Sequence, residues 1–168
     1  MEIIDLVILY LVIVVAGVYL IIFNESRRKK SLRRLEARLS QSGIRDIDQM
    51  SGIEFEHYLV SLFRKNGYRV KLTPASNDFG ADVILEGKER IVIQAKRYSS
   101  KVGIKAVQEI SSAKGYYNAQ EAWVITNNFF TSQAIKLAQS TNVKLIDRNK
   151  LVDMILKSNT HDYDERAN

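Results

Sequence analysis

The octapeptide "IVIQAKRY", residues 91–98, sets a condition that any fold of this chain has to meet. It opens as a buried strand, Ile91–Val92–Ile93, and then alternates Gln94 and Lys96 around Ala95. Side chains alternate across a strand, so Gln94 and Lys96 share one face with Val92, while Ile91, Ile93 and Ala95 share the other. An amide and an ammonium group on an otherwise apolar face cost free energy unless something pairs with them. The fold must therefore bring partners to that face or open a pocket there.

Few chemistries are open to such a pocket. None of the 168 residues is Cys, which excludes disulfides, thiolate nucleophiles and Cys-ligated zinc. The two histidines, His57 and His161, lie far apart in the sequence, which argues against a His-based metal or acid–base centre. Nothing in the pattern asks for a nucleotide cofactor.

A second feature divides the chain. Leu6 to Phe23, "LVILYLVIVVAGVYLIIF", is eighteen residues without a charge or a strongly polar group. As a helix it would span roughly 27 Å, close to the hydrocarbon thickness of a bilayer. The preceding "MEIID" is acidic, not the basic start of a cleaved signal, and no small-x-small cleavage site follows. The expectation is a single transmembrane anchor over residues 1–23. Behind it come Arg27, Arg28, Lys29, Lys30, Arg33, Arg34 and Arg38. The positive-inside rule then puts everything after the span in the cytoplasm, at the plasma membrane. Residues 24–45 hold eight Lys/Arg against two Asp/Glu, so this stretch alone accounts for the chain's formal +6. The basicity is thus explained by topology and anionic lipid, and is no separate sign of nucleic acid.

Residues 24–50 read as a basic helical stalk ending at Gly43 and a short link, "IRDIDQM". Residues 51–157 read as a compact domain and residues 158–168 as a frayed polar tail. Ser51 and Glu54 in "SGIE" form a capping box for a helix that Gly67 stops. Strands follow over 68–72, 81–85 and 90–96, then a helix over 104–117. A strand over 122–126, a helix capped by Thr131, a strand over 143–146 and a helix over 149–157 complete the pattern. The order αβββαβαβα predicts an α/β fold, a mixed sheet flanked by helices.

Within it, polar residues fall on apolar faces. Glu56 shares a helical stripe with Leu59, Val60 and Phe63, and Asp82 shares a strand face with Ile84. With Gln94 and Lys96 they suggest one pocket. A buried Asp–Lys or Glu–Lys ion pair would account for any one of them alone. Together they suit metal-assisted phosphodiester hydrolysis, because Mg²⁺ takes oxygen ligands, keeps several waters and needs only one or two carboxylates. Asp82, the Gln94 side-chain carbonyl and the backbone carbonyl of Ala95 could supply those oxygens. Lys96 could orient or deprotonate the attacking water and offset charge on the phosphate. Glu56 would hold a metal-bound water or Lys96.

"EFEHYLVSLFRKNGYRV", "SNDFGADVIL" and "IVIQAKRY", followed by "VGIKAVQEI" and "WVITN", resemble in that order the Mrr-type restriction endonuclease domain of the PD-(D/E)xK nuclease superfamily. The resemblance covers about Asp46 to Leu156. It implies a restriction-endonuclease-like fold, with Asp82 as metal ligand, Gln94 at the variable acidic or amide position, Lys96 as catalytic lysine and Glu56 as the helix carboxylate. Asp78 matches the first Asp of the D-x-G-x-D turn, where closing the turn on its own backbone is an equal role. Gln108 lies at a family-typical helix position and is also explained as a solvated glutamine. Arg97, Tyr98, Lys101 and Lys105 follow the active strand as candidate phosphate contacts. Gln94 departs from the commoner Glu and lowers the negative charge at the metal. Fuller family members also carry a separate DNA-reading domain where this chain has the apolar run.

The reading is a membrane-tethered endodeoxyribonuclease of the type IV restriction kind, using Mg²⁺ or Mn²⁺, with DNA and the lipid bilayer as partners. Double-strand cleavage would take two active sites, hence a homodimer. The alternatives are a membrane-bound nucleic-acid-binding or adaptor module that keeps the fold without turnover, and a structural membrane protein.

Overall fold

The computed structural model describes residues 15–17, 19–20, 23, 27, 43–74 and 79–166. The expected anchor and stalk therefore fall mostly outside the described residues, as does Asp78. The chain divides into two units, Met1–Leu39 and Ser40–Asn168. In the first, the described residues are helical and Val15, Tyr19 and Leu20 are exposed. Among the described residues, no helix is long and apolar enough to cross a membrane.

The second unit follows the expected order: α1 Gly52–Lys65, β1 Arg69–Leu72, β2 Val83–Glu86, β3 Ile91–Lys96, α2 Ile104–Tyr116, β4 Glu121–Thr126, α3 Ser132–Thr141, β5 Val143–Ile146 and α4 Arg148–Arg166. Helix α1 starts where its capping box sets it. Ser51 Oγ accepts from the Glu54 amide at 3.2 Å, and Glu54 Oε2 accepts from the Ser51 amide at 2.6 Å. Gly67, at φ +81°, takes the left-handed turn that ends the helix.

The five strands lie in sequence order, β1-β2-β3-β4-β5. Strands β1, β2 and β3 run antiparallel, with a short turn between β2 and β3. Strand β4 is parallel to β3 and β5 to β4, and each parallel step needs a crossover, supplied by α2 and α3. Strand β3 is central, and its period of two divides the core. Ile91, Ile93 and Ala95 pack under α1 and α4 with Phe55, Phe63, Trp123 and Leu151. Val92 packs on the other side, under α2 and α3, with Val107, Ile110, Val124 and Ala134.

Two expectations need correction. The link before Ser51 is a helical segment, residues 43–49, and Ile44 and Ile47 are buried in the first core. It is also bolted down: Arg148 donates from Nη1 and Nη2 to the two carboxylate oxygens of Asp48, both at 2.8 Å. Asn127 Nδ2 donates to the same carboxylate at 2.8 Å. The polar tail, likewise, continues α4 to Arg166. Ser158 is buried, and Lys65 of α1 donates to Asn159 Oδ1 at 3.1 Å. No Pro or Gly interrupts it, so contact with α1 can carry the helix past its last apolar residue.

The Arg148 guanidinium, and then the Asn127 amide, hold the Asp48 carboxyl below its ordinary value of 3.8. Stabilisation from a lowered carboxyl is complete above its unfolded value and is lost as pH falls through the folded one. Asp48→Asn is therefore expected to destabilise the domain by about 2 kcal/mol near neutral pH. The gap from wild type should close as pH drops below 3.8. Urea unfolding of both proteins across that range tests this, and a constant gap would overturn it.

Candidate active site

The antiparallel register of β2 and β3 pairs Val83 with Ile93, which brings Asp82 beside Gln94 on the face under α2. The backbone fixes this approach, since the Asp82 amide donates to the Ile93 carbonyl at 2.8 Å and the Thr73 amide donates to the Asp82 carbonyl at 3.1 Å. Asp82 Oδ2 accepts two bonds, from Gln94 Nε2 and from the Ala95 amide, each at 2.6 Å. Both side chains are buried, so the carboxylate has exchanged water for two amide donors.

That arrangement determines which way the Gln94 amide points. Nε2 is on the carboxylate, and turning the group over would set its carbonyl oxygen against Oδ2. Gln94 Oε1 is left buried with no hydrogen-bond partner. Lys96, two residues on, emerges on the same face, and its Nζ lies 3.3 Å from Glu109 Oε2 of α2.

Glu109 is the residue that sequence reasoning missed. Its signal was present, because it lies three residues after Ala106 and four before Ala113, both buried positions of α2. Gln108, its neighbour at the family-typical helix position, is exposed, as a solvated glutamine would be. The turn before Asp82 is pressed onto α2 at this point. Gly80 has φ +87°, and a Cβ there would stand 2.8 Å from the Glu109 Cβ and 2.9 Å from its carbonyl carbon and oxygen. Phe79, also at positive φ, stacks on Tyr116 with ring centroids 3.8 Å apart.

The other candidates are dispersed. Glu56 is half-buried on α1, which packs over the opposite face of the sheet. Arg97 turns away from Lys96, as strand alternation requires, and its Nη1 donates to the Asp48 carbonyl at 3.4 Å. Tyr98, Lys101 and Lys105 are exposed beyond the end of β3. The Tyr98 amide donates to Asn127 Oδ1 at 2.9 Å, and Lys105 Nζ lies 3.8 Å from Glu109 Oε1.

Among the described residues, no three His, Cys, Asp or Glu side chains cluster closely enough to hold a metal by themselves. The donors at Asp82 and Gln94 nevertheless fit a hard divalent cation. They are a carboxylate and an amide oxygen, and the latter is a buried acceptor awaiting a positive partner.

A carboxylate, an amide and a lysine on one face of a five-stranded mixed sheet between helical layers define a restriction-endonuclease-like nuclease. The fold is similar to that of the DNA modification-dependent restriction endonuclease AspBHI, with TM-score 0.57 and 21% identity, covering 71% of this chain and 35% of that one. It is also similar to that of the MspJI restriction endonuclease, solved in complex with a 27-mer oligonucleotide. There the TM-score is 0.51 with 22% identity, covering 72% of this chain and 31% of that one. The restriction endonuclease family defined by the Mrr catalytic domain matches residues 47–155, and the chain belongs to that family. A curated relative, the type IV methyl-directed restriction enzyme EcoKMrr of Escherichia coli (strain K12), is 26% identical over 144 residues, covering 80% of this chain. The chain spans about half of that relative's length, 47%.

Gly80→Ala would force both a strained φ and a backbone clash. We expect it to cost about 1–3 kcal/mol, as overpacked sites do. It should also loosen the Asp82 turn from α2, seen as faster amide hydrogen exchange over residues 79–83. Unchanged melting and exchange would show that the close approach carries no weight.

Proposed function

We propose that this protein is a metal-dependent endonuclease that hydrolyses DNA phosphodiester bonds, of the type IV restriction kind, held at the membrane with its nuclease domain in the cytoplasm. The observation that carries the catalytic part is the buried, partnerless Gln94 Oε1 beside the Asp82 carboxylate, with Lys96 on the same face. Asp82, Gln94 Oε1 and the Ala95 carbonyl would hold Mg²⁺ or Mn²⁺. When bound, such an ion polarises the scissile phosphate and activates a water molecule. Lys96 orients the attacking water and lies against the phosphate as negative charge builds on it. Asp78 is a further carboxylate proposed for the site, and Glu56 would have to reach it from α1 on the other side of the sheet.

Tyr98, Lys101 and Lys105, all exposed beside the strand end, suit contacts to the DNA backbone. The bond from Arg97 to the Asp48 carbonyl favours a role in holding the domain over one in gripping phosphate. Methyl-directed action belongs to the curated relative, and cleavage of methylated against unmethylated plasmid tests whether this chain shares it. The tether rests on the uncharged run Leu6–Phe23 and the basic stretch behind it. Exposed Val15, Tyr19 and Leu20 are consistent with a lipid-facing helix. Such a tether would confine cleavage to DNA near the bilayer.

The full chain is expected to nick supercoiled plasmid only with Mg²⁺ or Mn²⁺. Asp82→Ala and Lys96→Ala should each lower the rate by about 10²–10⁴-fold. Equal activity in all three proteins would remove these residues from the site, and an intact plasmid under every condition would sink the nuclease reading. The tether is tested separately: the chain should stay in the membrane pellet after an alkaline carbonate wash, and release into the supernatant would refute it.

A further inference from the structure

The described groups of the site on the α2 face are short of negative charge. Asp82 carries one negative charge, Gln94 none and Lys96 one positive, so these three groups together offer a dication no net attraction. Glu109 changes the sum. Its carboxylate is about one-third exposed and lies 3.3 Å from Lys96 Nζ, longer than the ~2.7–2.9 Å of a tight charge-assisted hydrogen bond. Its other oxygen is 3.8 Å from Lys105, whose side chain is almost fully exposed. Neither lysine holds the carboxylate closely.

Its position is nevertheless set by backbone. With no Cβ at Gly80, α2 comes within contact distance of the turn that delivers Asp82 two residues later. An independent observation shows what the pocket lacks. Gln94, 3% exposed, has a carbonyl oxygen with no donor, and its Nε2 is already committed to Asp82. A buried acceptor beside the Asp82 carboxylate calls for a cation, and Mg²⁺ or Mn²⁺ takes oxygen ligands of these kinds.

We propose that Glu109 is the second carboxylate of a divalent-cation site formed with Asp82 and Gln94 Oε1, in place of the acidic residue that Gln94 replaces on β3. In the metal-free protein Lys96 stands in for the cation beside Glu109. When the ion binds, Glu109 turns to it, directly or through one of its waters, and Lys96 is released toward the phosphate. This rests on the metal-dependent reading above and adds to it a ligand and an order of events.

The test uses the full chain and Mn²⁺ as the only probe, without DNA. Mn²⁺ affinity is measured by calorimetry, and the Mn²⁺-induced rise in melting temperature is read against each variant's own metal-free value. Loss of stability alone cannot then imitate loss of binding. Glu109→Gln is expected to weaken Mn²⁺ binding by about ten- to a hundred-fold, the range for removing a supporting ligand. The melting rise should shrink accordingly, and plasmid nicking by this variant should recover in part at high Mn²⁺. Wild-type Mn²⁺ affinity in Glu109→Gln would overturn the assignment, whatever the variant's nicking rate. If wild type itself neither binds Mn²⁺ nor nicks plasmid, the underlying reading fails instead.

Discussion

The contact on which the geometry of the proposed site depends is the pair of short bonds into one oxygen of Asp82, from the Gln94 side chain and the Ala95 amide. It does two things at once. It closes the open end of the β2–β3 hairpin, where the regular ladder has stopped at Val83 and Ile93. It also fixes the sense of the Gln94 amide, so that Oε1 is turned away from the carboxylate. These donors replace water that a carboxylate loses on burial. The result is a site held in shape before any ligand arrives, which is the condition for electrostatic catalysis without reorganisation.

The sheet explains why the site lies where it does. Strand β3 is antiparallel to one neighbour and parallel to the other, so its C-terminal end adjoins both the start of β2 and the crossover into α2. A loop residue before one strand, two residues on the next and one on the crossing helix can meet there without distorting any element. Buried faces elsewhere on the sheet are filled mainly by apolar side chains, Trp123 among them.

Much of this was legible in the chain. The capping box at Ser51 and Glu54 and the Thr131 cap are local signals that local hydrogen bonding realises, and the alternation along residues 91–96 is realised by pairing with β2 and β4. The pairing of Asp82 with Gln94 was readable because both occupied apolar faces they could not share with apolar residues alone. What escaped depended on distance. Glu109 acquires its meaning from the approach of α2 to Gly80, which is a tertiary contact. Arg97 was grouped with Lys96 by proximity in sequence, whereas strand geometry sends neighbours to opposite faces. The segment at 43–49 and the end of α4 looked like linkers because their composition is polar, yet each is held by a residue far along the chain.

The Asp48–Arg148 pair joins positions one hundred residues apart and so closes nearly the whole domain into a loop. A contact of that sequence separation forms late and raises the contact order of folding, since most of the chain must be ordered before it can be made. It also defines the smallest portable unit. A fragment cut at Ser51 would keep every strand and the entire site, yet lose Ile44, Ile47 and the clasp between the first and last helical segments. The boundary that matters for excising or grafting this nuclease module therefore lies upstream of its first capping box, at the start of the 43–49 helical segment.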